Sequence, residues 1–234
     1  AKIFEQLGFD ALMIENFGDV PFARDRVEAV TVSAMTAIAR EVRASCKLPL
    51  GINVLRNDAQ SALAIASVAD CHFIRVNVLS GVAATDQGWI QGQAREVLKE
   101  RLGLKPEIKI LADVWVKHAR QFSSETIAQA IEETALRAGA DAVIVTGSGT
   151  GKLASQSRIA EAVEVCQEHG IPLVLGSGVS AADLGQLPIS GLSGIIVGSD
   201  LRREGRAGAP LDSKRARNWI KALAEARSGY PRRR

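Results

Sequence analysis

Aromatic residues make up only 4% of this 234-residue chain. That rules out a core built on rings and leaves Val, Ile, Leu and Ala to fill it, a composition suited to strands buried on both faces. Cysteine is as sparse: Cys46, Cys71 and Cys166 are scattered, odd in number and fit no zinc spacing. Free core thiols in a reducing cytoplasm are the expectation. No apolar run reaches the roughly 18 residues that a membrane span needs, and no signal peptide opens the chain. The net charge is a mild +3, which gives no electrostatic case for a nucleic-acid partner. The basic tail 227–234 (RSGYPRRR) is the one dense run of charge. It is expected to be solvated, with weak attraction to an anionic membrane face as its functional alternative.

What the chain does have is 47% hydrophobic residues, arranged as short apolar runs alternating with helical periodicity. Strands are expected at Asp10 to Glu15, Leu50 to Leu55, His72 to Val78, Lys109 to Val114 and Ala142 to Thr146. Two more lie within Ile171 to Gly178 (IPLVLGSG) and Gly194 to Asp200 (GIIVGSD). Helices are expected at Asp25 to Ser45, Ala59 to Ala69, around Ala94 to Leu102, Glu125 to Ala138, Ser157 to His169 and Ser213 to Ala226. Ser123 or Ser124 is the expected cap of the fourth of these. Leu79 to Gln93 is left as a long loop, read either as a lid or as an ordered interface loop.

Strict alternation predicts a parallel sheet with right-handed crossovers. The fold class expected is α/β, a (β/α)8 TIM barrel over residues 1–226 as a single domain. Seven strands are counted instead of eight, because the chain opens on the helix that would follow a first strand. An open doubly wound sheet is the competing architecture. Polar residues at every strand end, and glycine pairs after the last two, favour the barrel.

In a barrel the C-terminal strand ends converge on one site. Gly176, Ser177 and Gly178, with Gly198 and Ser199, have the composition of a phosphate grip, since glycine lets backbone N–H groups close on an anion. Facing them, Glu15, Arg75, Asn77, Asp113, Lys117 and His118 form the candidate catalytic set. Asn16, Asn53, Arg56, Asn57 and Thr146 are the candidate substrate contacts. A buried arginine must be paired, and Glu15 or Asp113 are the partners expected for Arg75. The run Asp113 to His118 (DVWVKH) combines carboxylate, ammonium and imidazole, suited to acid–base work or, with Glu15, to an oxygen-rich divalent metal site. No cofactor is identified. His72 and His169 lie away from the tips and are read as structural or solvated.

Gly147 to Lys152 (GSGTGK) fails as a nucleotide P-loop, because Thr146 and Leu153 stand where glycine and a hydroxyl residue are needed. Gly149, Gly151 and Ala154 spell G-x-G-x-x-A, but late in the strand order and with no acidic residue closing the next strand, so NAD binding is not expected.

Five segments together resemble the BtpA family: Asp10 to Phe22 (DALMIENFGDVPF), Gly51 to Asp58 (GINVLRND), Phe73 to Asn77 (FIRVN), Thr85 to Gly88 (TDQG) and Asp113 to His118. The resemblance runs the whole chain. It implies a barrel fold, preceded by a strand and a loop with His and Pro/Gly that are not found here. It further implies a role in the biogenesis or stability of photosystem I, peripheral to the cytoplasmic face of the thylakoid membrane. Photosystem I subunits or assembly factors would then be the partners. A bacterial relative encoded beside sugar-phosphotransferase genes pulls the other way. The strand tips themselves suggest an isomerase, lyase or aldolase acting on a small phosphorylated metabolite. A homo-oligomer is expected on either reading.

Overall fold

The computed structural model describes residues 1–116, 119–121, 126–147 and 153–228. Seven strands form one parallel sheet in chain order: β1 (Leu12–Glu15), β2 (Leu50–Asn53), β3 (Phe73–Val76), β6 (Lys109–Val114), β8 (Ala142–Thr146), β9 (Leu173–Gly176) and β10 (Gly194–Ile196). The sheet curls into a half-barrel of seven strands, in keeping with the expected α/β barrel class and its count of seven. Its inner strands are largely buried, β2, β8 and β9 at every residue, as apolar runs covered on both faces should be. The edge strands β1 and β10 are half-buried along their length.

The crossover helices are α2 (Ala29–Ser45), α3 (Ala59–Val68), α4 (Ala94–Leu104), α5 (Ile127–Glu132) and α6 (Gln156–His169). The chain opens with α1 (Lys2–Leu7) and its last described helix is α7 (Ser213–Ser228). Local chemistry sets their ends. Asp58 caps α3 by accepting the Ser61 N–H at 2.9 Å, Ser155 caps α6, and Gly170 closes α6 at φ 65°. Two apolar clusters flank the sheet. One joins α2, α3 and α4 to the first strands, the other joins α5, α6 and α7 to the last. On the second side α1 meets α7 through Phe9, whose ring stacks 6.2 Å from that of Trp219.

Two expectations change. The fourth crossover helix is capped by Thr126, in a reciprocal box with Gln129, while 123 and 124 lie outside the described residues. It does not run on as one α-helix either: α5 stops at Glu132 and a π turn covers Glu133–Arg137. The stretch read as a loop, Leu79 to Gln93, contains a hairpin, β4 (Val82–Thr85) with β5 (Gly88–Gln91). A third short strand, β7 (Ala119–Gln121), pairs antiparallel with β4 and completes a small sheet. Val78, Ala83, Ile90 and Val116 form its own apolar core. The three cysteines are free and buried, as expected. Both histidines away from the tips are structural: His72 Nδ1 accepts the Leu50 N–H at 3.2 Å, and His169 Nε2 lies 3.2 Å from a Glu132 oxygen.

Candidate active site at the strand tips

Parallel register brings the polar tips level. Glu15 stands opposite Asn53, Arg75 opposite Leu111 and Thr146 opposite Gly176. Period two then sets Arg75 and Asp113 on one face. The Arg75 guanidinium lies between two carboxylates. Its Nη2 donates to both Asp113 oxygens at 3.0 and 3.1 Å, and Nη1 donates to Glu15 Oε1 at 3.2 Å. The Arg75 and Asp113 side chains are 3% and 0% exposed, and that of Glu15 is 25% exposed. Burial alone would lower the Arg75 pKa. Asp113 and Glu15 outweigh it, holding the group above its ordinary value and fully charged.

Asparagines extend this triad on both sides. Asn53 donates to Glu15 Oε1 at 3.3 Å, and Asn77 donates a short hydrogen bond to Asp113 Oδ2. Three polar atoms beside them have no hydrogen-bond partner among the described residues: Asn53 Oδ1, Asn77 Oδ1 and Thr146 Oγ1. Arg56 is buried beside them, and burial lowers its pKa against the pull of Asp113 and Asp86, with Arg75 adding like-charge repulsion. Asp86 comes from the β4–β5 turn. The hairpin therefore brings a charge within electrostatic reach of the strand tips, a contribution that the motif TDQG contained but sequence reasoning did not assign.

The glycine-rich ends sit on the next strands. Ser177 and Gly178 follow β9 with φ 64° and 81°, so two successive residues in the left-handed region turn the backbone sharply, the first at the strain cost of a side chain. Gly176 itself is sterically required. A Cβ there would meet Ile144 Cγ2 at 2.6 Å and stand 3.8 Å from Arg75 Nη2. Gly198 and Ser199 follow β10. Asp200 ties the two ends together, accepting the Ala181 N–H at 3.0 Å while paired with Arg215 at 2.5 Å.

Other expected contacts are spent elsewhere. Asn16 bridges to Leu55 with both ends of its amide, accepting the N–H at 2.7 Å and donating to the carbonyl at 3.2 Å. Asn57 does the same to Val78, at 2.8 and 2.9 Å. Both pin neighbouring loops in place. Lys117 and His118 lie outside the described residues. Among the described residues no group of three or more His, Cys, Asp or Glu could hold a metal. The two carboxylates that could share a divalent ion share the Arg75 guanidinium instead.

A curled parallel sheet flanked by helices, with its charged residues at the C-terminal strand ends, defines a TIM-barrel-like α/β protein. This chain belongs to the BtpA family, whose model matches residues 1–225. It is 43% identical over 224 residues to the photosystem I biogenesis protein BtpA of Synechocystis, covering 96% of this chain and 77% of that protein. It is equally, 43%, identical over 220 residues to an uncharacterized protein of Methanocaldococcus jannaschii, covering 94% and 82%. Among solved structures, phosphoribosyl anthranilate isomerase from Thermus thermophilus superposes with a TM-score of 0.63 at 11% identity, covering 96% of this chain and 92% of that one. That likeness is one of fold. Among the described residues no helix is long and apolar enough to cross a membrane.

Proposed function

We propose that this chain is an enzyme of isomerase, lyase or aldolase type, acting on a small phosphorylated metabolite at the C-terminal ends of its strands. One observation carries the reading: beside a largely buried charged triad three polar atoms have no partner among the described residues. Buried polar side-chain groups are nearly always paired, and a bound ligand would supply the partners these three lack.

The roles divide by what each group has left to offer. Both oxygens of Asp113 are engaged by Arg75, and one of them also by Asn77. Asp113 therefore positions the guanidinium and does not exchange protons. Among the described residues Glu15 commits only Oε1. Its Oε2 is the carboxylate oxygen left to take a proton from the substrate or return one. Arg75, charged and shielded from water, stabilises negative charge as it develops. The tips at Ser177, Gly178, Gly198 and Ser199 hold the phosphate.

Thermal unfolding with inorganic phosphate and a panel of sugar phosphates, at matched ionic strength, tests this. A ligand at 100 times its dissociation constant adds about 2.7 kcal/mol, and Ser199→Asp should abolish that gain by repulsion. No shift from any phosphorylated probe defeats the proposal. Once a substrate is in hand, Glu15→Gln should slow turnover by about 10²- to 10⁴-fold, and unchanged turnover would remove Glu15 from the mechanism.

A second reading rests on the 43% identity to the Synechocystis protein: a factor for photosystem I biogenesis, peripheral to the thylakoid and in contact with photosystem I subunits or assembly factors. Relatives of equal identity from archaea give it no general support. Expression of this chain in a Synechocystis strain lacking its BtpA decides. Restored photosystem I would support the role, and unrestored levels at normal expression would exclude it.

A further inference from the structure

Asn53 and Asn77 are 0% and 2% exposed, and each hangs from one carboxylate of the same triad. An amide's orientation is ordinarily ambiguous, but here the neighbours decide it. Turning either side chain over would set its carbonyl oxygen against a carboxylate oxygen, replacing a hydrogen bond with repulsion. The N–H₂ groups must face Glu15 and Asp113, so the two carbonyl oxygens are buried acceptors of fixed orientation. Neither has a partner among the described residues. Thr146 Oγ1, 1% exposed as a residue, is unpartnered beside them.

Two fixed acceptors select a ligand that donates. A phosphate dianion cannot satisfy them, because its oxygens only accept. A cation could, but Arg75 and Arg56 set two buried guanidiniums against it. An uncharged donor remains. A hydroxyl serves best, because one hydroxyl can donate to an asparagine oxygen and accept from a guanidinium at the same point, which an N–H cannot do.

We infer that the substrate is a polyol phosphate, with at least two of its hydroxyl groups donating to Asn53 Oδ1 and Asn77 Oδ1, and a further one exchanging a hydrogen bond with Thr146. This rests on the phosphorylated-metabolite reading above and adds the chemistry of the carbon chain. Asparagine here is a specificity element: a site built to pair with a hydroxyl rejects the analogue without it, since its own buried group is then left bare.

Calorimetric titration of the protein tests it with four probes: D-ribose 5-phosphate, propyl phosphate, D-ribose and inorganic phosphate. Ribose 5-phosphate should bind about ten- to hundredfold more tightly than propyl phosphate. That preference should collapse in Asn53→Leu and Asn77→Leu while propyl phosphate binds as before. Thr146→Val, which trades an unpartnered buried hydroxyl for a methyl group, should fold at least as stably and also lose part of the preference. It keeps the test open should either leucine variant fail to fold. Equal binding of the two phosphate esters overturns the polyol inference and leaves the phosphate reading standing. Ribose binding as tightly as its phosphate does the reverse. Failure of all four probes to bind removes both.

Discussion

The molecule contains two three-charge clusters built to the same plan at opposite ends of its strands. At the C-terminal ends Arg75 sits between Glu15 and Asp113. At the N-terminal ends Asp141 sits between Arg101 and Lys109, at 2.7 and 3.1 Å, and also accepts the Ile110 N–H at 2.9 Å. The difference is water. The central side chain is 3% exposed in the first cluster and 25% in the second. A solvated ion pair contributes little, while a desolvated one barely recovers the cost of burying its charges. The lower cluster ties α4 to the start of β6 and β8 and needs no further purpose. The upper cluster is a costly way to hold a barrel together. Among the described residues unpartnered polar atoms occur at both ends, Arg101 Nε below and Asn53 Oδ1, Asn77 Oδ1 and Thr146 Oγ1 above, so burial is what separates the two clusters. That asymmetry in burial, with strand direction held constant, is why the proposed chemistry is put at the upper end.

The sharpest way to break the comparison is to remove each central charge in turn. Arg75→Met leaves the fully buried Asp113 carboxylate uncompensated beside the half-buried Glu15 and should cost about 3–5 kcal/mol of unfolding free energy, measured by urea titration. Adding Asp113→Leu to it should recover a good part of that loss, since an apolar pair of similar volume relieves the uncompensated charge. If Arg75→Met cost no more than a surface substitution, the upper cluster would be solvated and the contrast would vanish.

Much of this contrast was legible in the sequence, and the parts that were not share a cause. The boundaries of β6 and β8 follow from their apolar runs alone, and Arg75, as an arginine within a buried run, required a carboxylate partner. It has both candidates. Position at a strand tip, however, does not say which way a polar side chain turns. Asn16 and Asn57 carry the same signal as Asn53 and Asn77, yet they spend their amides on backbone 39 and 21 residues away. The β4–β5–β7 sheet escaped for a related reason. Its strands are three or four residues long, and the pairing that makes them strands comes partly from a distant segment. Non-local partners leave no local period.

Asp141→Ala makes the matched test at the lower end. It removes two partly solvated ion pairs and one hydrogen bond, for an expected loss of about 1–2 kcal/mol. High salt should shrink the ion-pair share of that loss and leave the Arg75→Met cost nearly unchanged, because screening acts on exposed charges. Equal salt sensitivity at the two ends would mean that water reaches both.

The smallest effect belongs to Asp70 and Lys105 at the same lower end, an exposed carboxylate paired with a half-buried lysine. The hydrogen bond from Lys105, and then its charge, hold the Asp70 carboxyl below its ordinary value, while the same bond raises Lys105 above its own. A depressed carboxyl pKa gives stability that is present above the ordinary carboxylate range and lost as pH falls through the folded value. A raised lysine pKa gives stability that is present below the ordinary lysine range and lost as pH rises through the folded value. Between those limits the pair is intact and stability should be flat with pH on its account. Carbon-detected NMR titration of the Asp70 carboxyl should find it titrating below an unpaired aspartate, and back at the ordinary value in Lys105→Met. The thermal midpoint of that variant should barely move at neutral pH. A large fall would show that pairs at this end contribute more than their solvation allows, and burial would then no longer separate the two ends.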